Sequence, residues 1–138
     1  MQAAVTYYSK TGHSKKIAQA ISDELGIAIS EIMDGVPAAD LLFVVGGIYA
    51  GKSDPLMLEA LAGAEPERVG RAALITSCMN PKVTQSMVRE TLEARGIPVL
   101  KEEFVCTGGF LIFARKRPNS EDIGNAVAFA RRILTGEV

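Results

Sequence analysis

The chain has 138 residues, 15 basic and 16 acidic side chains for a formal charge of −1, and 48% hydrophobic against 22% charged residues. So even a balance argues against a nucleic-acid binder or a polybasic membrane protein. Two cysteines, Cys78 and Cys106, are too few for a disulfide scaffold and fit a reducing cytosol. No apolar run reaches the roughly 18 residues of a membrane span, and no charged and apolar leader precedes the first strand pattern. The expectation is a cytoplasmic protein, one domain over residues 1–138, with neither nucleic acid nor membrane as a partner.

Strand and helix patterns then alternate along the chain. The run Ala3-Ala4-Val5-Thr6-Tyr7-Tyr8 predicts a buried first strand. Ile17, Ala18, Ile21 and Leu25 recur at helical spacing, and Gly26 stops that helix. A short second strand is predicted over Ile27–Ile32, ended by Asp34-Gly35 and Pro37. The continuous run Leu41-Leu42-Phe43-Val44-Val45 reads as a central strand buried on both faces. Pro55 opens a helix through about Leu61, and Ala72–Thr76 reads as the fourth strand. The next helix is predicted from near Pro81 to Arg95, with Val83, Met87 and Leu92 inward and Gly96 as its stop. A fifth strand lies between Val99 and Cys106. The last helix carries the stripe Ile123, Ala126, Val127, Ala130, Ile133 and Leu134, with Asn119 or Ser120 as its cap. Five strands alternating with helices imply crossover connections and a parallel sheet between two helical layers. Ligands of such sheets bind beyond the carboxyl ends of the strands.

Three loops at those ends carry candidate chemistry. Ser9-Lys10-Thr11-Gly12-His13-Ser14 places three hydroxyls and a glycine at a helix N-terminus, where free N–H groups and the helix dipole favour a phosphate. The plainer alternative is a helix cap, which needs only one hydroxyl. His13, the one histidine, reads as a solvated turn residue that can also hold phosphate when protonated. Gly46-Gly47-Ile48-Tyr49-Ala50-Gly51-Lys52-Ser53 fits the nucleotide P-loop pattern literally. It follows the third strand rather than the first, however, and no strand ends in an Asp suited to Mg²⁺. Ser77-Cys78-Met79-Asn80 offers backbone amides and one side-chain amide. Cys78 and Cys106 fall at the ends of neighbouring strands, as two small buried thiols or as a redox pair. The basic run Arg115-Lys116-Arg117 reads as a solvated turn, the alternative being a cluster that steers an anionic partner or binds the phosphate of a nicotinamide cofactor.

The Ser-x-Thr-Gly-x-Ser pattern after a first strand resembles the FMN phosphate loop of flavodoxins, and the likeness extends over essentially the whole chain. Arg117-Pro118-Asn119-Ser120-Glu121-Asp122 with Ala126, Phe129 and Ala130 resembles the start of the last helix in small members of that family. At this length the chain resembles the short form, without the insertion that splits the last strand. The resemblance implies an α/β flavodoxin-like three-layer α/β/α sandwich whose five-stranded parallel sheet has the order 2-1-3-4-5. It implies FMN as cofactor, with its phosphate on Ser9, Lys10, Thr11, Gly12, His13 and Ser14. Its ring would lie between Gly47-Ile48-Tyr49-Ala50-Gly51, with Tyr49 stacking, and Ser77-Cys78-Met79-Asn80. Gly46-Gly47 departs from the Ser-Pro usual there. The function implied is electron transfer between protein partners, as a monomer or homodimer. Two alternatives are a small FMN-dependent NAD(P)H:quinone-type reductase, working with a nicotinamide, and a flavodoxin-like binding module that has lost its cofactor.

Overall fold

The central strands form where β-branched and apolar residues run continuously, because these strands are covered on both sides. In the computed structural model, which describes residues 2–9, 12–49, 52–77, 85–106 and 120–136, the elements are β1 (Ala3–Tyr7), α1 (His13–Leu25), β2 (Ala28–Glu31), a 3-10 turn (Ile32–Asp34), β3 (Ala39–Tyr49), β4 (Lys52–Ser53), α2 (Pro55–Ala62), β5 (Val69–Ser77), α3 (Ser86–Ala94), β6 (Val99–Cys106) and α4 (Ser120–Thr135). The five long strands are parallel and ordered β2-β1-β3-β5-β6, with the two-residue β4 turned back antiparallel on the end of β3. Leaving β4 aside, this is the order 2-1-3-4-5 of the flavodoxin-like α/β fold.

Alternation along the strands divides the core in two. Val5, Leu41, Phe43, Val45, Ala73 and Ile75 face α1 and α4, meeting Ile17, Ile21, Ala126 and Ala130. Ala4, Leu42, Val44, Ala72 and Leu74 face α2 and α3, meeting Met57, Leu61, Val88 and Leu92. All of these are buried, and each large side chain contributes about 1.5–3 kcal/mol by leaving water. Phe104 of β6 also meets Phe129 of α4, ring centroids 5.6 Å apart. Beside it Arg132 lies 5.5 Å over the Phe129 ring and makes a two-pronged contact with Glu102, so α4 is pinned to the sheet edge.

Helix ends follow the local chemistry. Gly26 stops α1 at φ 65°, its N–H donating to Ser22 O, which is the left-handed conformation that glycine reaches without a Cβ penalty. Asp54 caps α2, its Oδ1 accepting the Leu56 N–H at 2.8 Å with Pro55 as the first helical residue.

Three differences from the sequence reading have physical causes. β3 runs on to Tyr49, so Gly46 to Tyr49 are strand rather than loop. Gly46 and Gly47 stay in the ladder because they pair with Thr76 and Ser77 of β5. α3 turns its Val88 inward and leaves Met87 40% exposed, a one-residue rotation of the expected face. Last, β6 carries an irregularity: Ala72 pairs with Val99 but Leu74 pairs with Glu103. Arg89 fills that kink, donating to Val99 O, Leu100 O and the Glu103 carboxylate at 3.3, 2.7 and 2.9 Å. Expectations for Val83, the 81–84 part of the third helix pattern and the 115–117 turn lie outside the described residues.

Candidate functional site

The strand order reverses at β1. The chain leaves β1 for β2 on one side and returns to β3 on the other, which opens a crevice at the carboxyl ends of these strands. Tyr8 N–H donates to Val45 O at 3.1 Å, so the β1–β3 ladder holds until the residue before Ser9. The first candidate loop therefore begins at the sheet edge itself.

Ser9 Oγ accepts the Gly12 N–H at 2.9 Å, closing the loop on itself and leaving the Ser9 hydroxyl proton free to donate elsewhere. Gly12 sits at φ 90° immediately before α1, a left-handed conformation that side-chain-bearing residues rarely adopt. With no side chain, Gly12 caps nothing, and the first-turn N–H groups of His13, Ser14 and Lys15 have no helical carbonyl ahead of them. No acidic residue occupies that turn, whereas Lys15 and Lys16 are exposed on it. Ser14 is fully buried, and its Oγ has no hydrogen-bond partner among the described residues. The cap alternative therefore fails for Ser14. Burial, with Lys16 adding its charge, lowers the His13 pKa below its ordinary value. The imidazole is thus neutral near pH 7 unless an anion arrives to favour its proton.

The second and third candidate loops share this edge. Gly47 and Ser77 are register partners in neighbouring strands, and Ser77 in turn faces Cys106 of β6. Ile48 and Tyr49 pair with Ser53 and Lys52. The structure so brings Ser9, Gly12, His13, Ser14, Gly47, Ile48, Tyr49 and Ser77 to one end of the sheet. Lys10, Thr11, Ala50, Gly51, Cys78, Met79 and Asn80 lie outside the described residues, as does the Tyr49 side chain on which stacking depends. The Cys78–Cys106 pairing has the same standing.

The hairpin bears on the P-loop pattern. A phosphate-cradling loop wraps between a strand and a helix, with its Lys-Ser at the start of that helix. Here Gly46 and Gly47 are in β3, Lys52-Ser53 form β4, and Asp54 separates Ser53 from α2. Gly46 has a packing role instead. A Cβ there would lie 2.5 Å from Met57 Cε, 2.7 Å from Met57 Sδ and 3.0 Å from Gln85 Oε1, so the glycine lets both side chains lie against β3. Gln85, Thr76 and Ser53, all buried polar residues of this end, carried no signal in periodicity. Among the described residues no cluster of His, Cys, Asp and Glu is suited to a metal ion, and no helix is long and apolar enough to cross a membrane.

No protein-family model matches the chain and no curated protein sequence does; solved structures do. A short-chain flavodoxin associated with a non-canonical PDU bacterial microcompartment superposes with a TM-score of 0.64 at 18% identity, with 100% of both chains covered. Oxidised Flavodoxin 2 from Bacillus cereus gives 0.71 at 14% identity, over 99% of each chain. A flavoprotein from Lactobacillus acidophilus NCFM, solved in complex with FMN, gives 0.58 at 17% identity over 77% of this chain and 92% of that one. The likeness is one of fold.

Proposed function

We propose that this chain is an FMN-binding redox protein of the flavodoxin type that passes electrons between protein partners. The observation that carries the proposal is the Ser14 hydroxyl, buried and unpartnered in the first turn of α1 behind the left-handed Gly12. A buried hydroxyl without a partner costs about 1–3 kcal/mol, and a phosphate oxygen at this helix start relieves that cost while meeting the free N–H groups and the dipole. Ser9 adds a second free proton, and Lys15 and Lys16 a diffuse positive field. Lys10, Thr11 and His13 complete the proposed phosphate set. His13 contributes charge only once the bound anion has raised its proton affinity.

The ring is proposed to lie against the loops that begin at Gly47 and Ser77, register partners at this end of the sheet, with main-chain donors and acceptors rather than acids or bases meeting it. When bound, FMN supplies the electron chemistry itself. The chain's part is to hold the phosphate, present main-chain groups to the ring and keep one ring edge accessible to a partner. The nearly neutral charge gives little long-range steering, so recognition of that partner rests on short-range contacts.

The test is an absorbance spectrum of the purified protein followed by titration with FMN and with riboflavin, read by flavin fluorescence. Quenching that is much tighter for FMN than for riboflavin is expected. Ser14→Ala is expected to weaken FMN about ten- to hundredfold, the size of a charge-assisted hydrogen bond, while the thermal midpoint of the free protein holds or rises. Equal affinity for the two flavins, or for wild type and Ser14→Ala, overturns the phosphate assignment. No flavin binding at all moves the reading to a cofactor-free module. Rapid NADPH oxidation by the FMN-loaded protein without a partner moves it to a reductase.

A further inference from the structure

A second group of buried polar atoms lies beneath this end of the sheet, on the α2/α3 face. Gln85, immediately before α3, is fully buried and donates its Nε2–H to Ile75 O at 3.0 Å. A main-chain carbonyl only accepts, so Nε2 must face Ile75, and Oε1 turns toward Gly46, where it lies 3.0 Å from the position of an added Cβ. Thr76 is the register partner of Gly46 and follows Ala72 and Leu74 on the same face by alternation. It is fully buried and its Oγ1 has no partner among the described residues. Gln85 Oε1 is likewise unpartnered, as is Oγ of Ser53, which pairs in register with Ile48, two residues beyond Gly46. The β4 strand that carries Ser53 packs against α3.

Three oxygens without a partner among the described residues, within one well-packed layer, call for a guest, and their chemistry defines it. Gln85 Oε1 accepts only, so the guest must donate; the Thr76 and Ser53 hydroxyls can donate to it in return. The trio brings no charge to neutralise a cation or an anion, and the starts of α2 and α3, which lie at this end, further disfavour a cation. The guest is also small, because Met57 fills the space over Gly46 so closely that even a methyl group there collides. A neutral molecule that both donates and accepts, with two to four polar partners and the smallest volume, is water.

We propose that Thr76 Oγ1 and Gln85 Oε1, with Ser53 Oγ as third partner, hold one permanently bound internal water that ties the start of α3 and the β4 hairpin to the ends of β3 and β5. This site is separate from the phosphate turn and needs no flavin, so cofactor-free protein is enough to examine it.

A crystal structure of the free protein near 1.5 Å is the direct test. The expected result is an ordered water within hydrogen-bond distance of both Thr76 Oγ1 and Gln85 Oε1. A direct Thr76–Gln85 hydrogen bond, or no water between them, overturns the proposal. In solution, Thr76→Val keeps the shape and removes the hydroxyl. With the water in place it is expected to lower the thermal midpoint by about 3–6 °C, and Thr76→Ser to restore most of the loss. If the pocket is dry, Thr76→Val removes an unsatisfied group, so an unchanged or raised midpoint counts against the water. Should Thr76→Val not fold, water-proton or ¹⁷O relaxation dispersion of the wild type decides. One long-lived internal water is expected, and none defeats the assignment.

Discussion

The two faces of this sheet are built on different terms. The α1/α4 face is apolar along its strands: Val5, Leu41, Phe43, Val45, Ala73 and Ile75 meet helical Ile, Ala and Phe side chains, and the buried Ser14 hydroxyl enters it only at the start of α1. The α2/α3 face starts the same way with Ala4, Leu42 and Leu74. Toward the carboxyl ends of the strands it turns polar, with Thr6, Thr76, Gln85, Ser53 and Asp54 all buried. A fold of this kind gets cohesion from one face and concentrates buried hydrogen-bonding capacity in the other, beside the end where a ligand would sit. Real proteins depart from fully satisfied apolar packing mainly near functional sites, and here the departures on both faces gather at the carboxyl ends of the strands, three on the α2/α3 side and Ser14 on the other.

Substitutions on the two faces probe that division. Phe43→Ala, at the centre of the apolar face, is expected to cost about 3–5 kcal/mol in urea unfolding; a loss below about 1 kcal/mol means that face is not close-packed. Gly46→Ala, on the polar corner, forces Met57 and Gln85 out of a filled core and is expected to cost about 1–3 kcal/mol. Combining it with Met57→Ala is expected to cost less than the sum of the two, since the added methyl then has room, and strict additivity contradicts the contact. Asp54→Ala removes the α2 cap for about 0.5–2 kcal/mol, and Asp54→Asn, which keeps the acceptor, is expected to recover most of it.

The smallest effect lies between the faces, at His13. Its folded pKa is lowered from 6.5 by burial and by Lys16, so between that lowered value and 6.5 the unfolded chain holds more protons than the folded one. Stability must then rise with pH across this window. At pH 7.5 and above the group contributes nothing, and the loss begins as pH falls through 6.5. The urea midpoint of His13→Gln is expected to show a shallower decline between pH 7 and pH 5 than wild type. Parallel curves mean that His13 is solvated like a free imidazole.

Much of this architecture was legible in the residues. Leu41 to Val45 marked a strand covered on both sides, Gly26 marked the stop of α1, and Pro55 marked the start of α2, each through a local physical rule. The strand order came with the resemblance carried by Ser9, Thr11, Gly12 and Ser14. What escaped had tertiary causes. Gly46 and Gly47 read as loop because glycine is a poor strand former, yet pairing with Thr76 and Ser77 keeps them in the sheet. Helical spacing could not choose between Met87 and Val88, whose order depends on how α3 rolls against Leu74 and Met57. Gln85 and Thr76 carry no periodic signal at all; only burial sets them apart, with Gln85 Oε1 and Thr76 Oγ1 lacking partners among the described residues. In the turn from Ser9 to Ser14 the residue types were readable, but that the Ser14 hydroxyl has no partner among the described residues was not.

The Arg89 contacts have a meaning beyond local geometry. In the order β2-β1-β3-β5-β6 the outermost strands are β2 and β6, and an open strand edge is a template on which another chain can add itself. β2 offers only four residues. β6 is eight residues long, yet two steps of β5 span four of β6 between Val99 and Glu103, and Arg89 occupies the carbonyls of Val99 and Leu100 there. An edge bent between Val99 and Glu103, with two carbonyls there already engaged, is a poor template for in-register extension at that point, a consequence felt in concentrated solution rather than in the folding of one molecule.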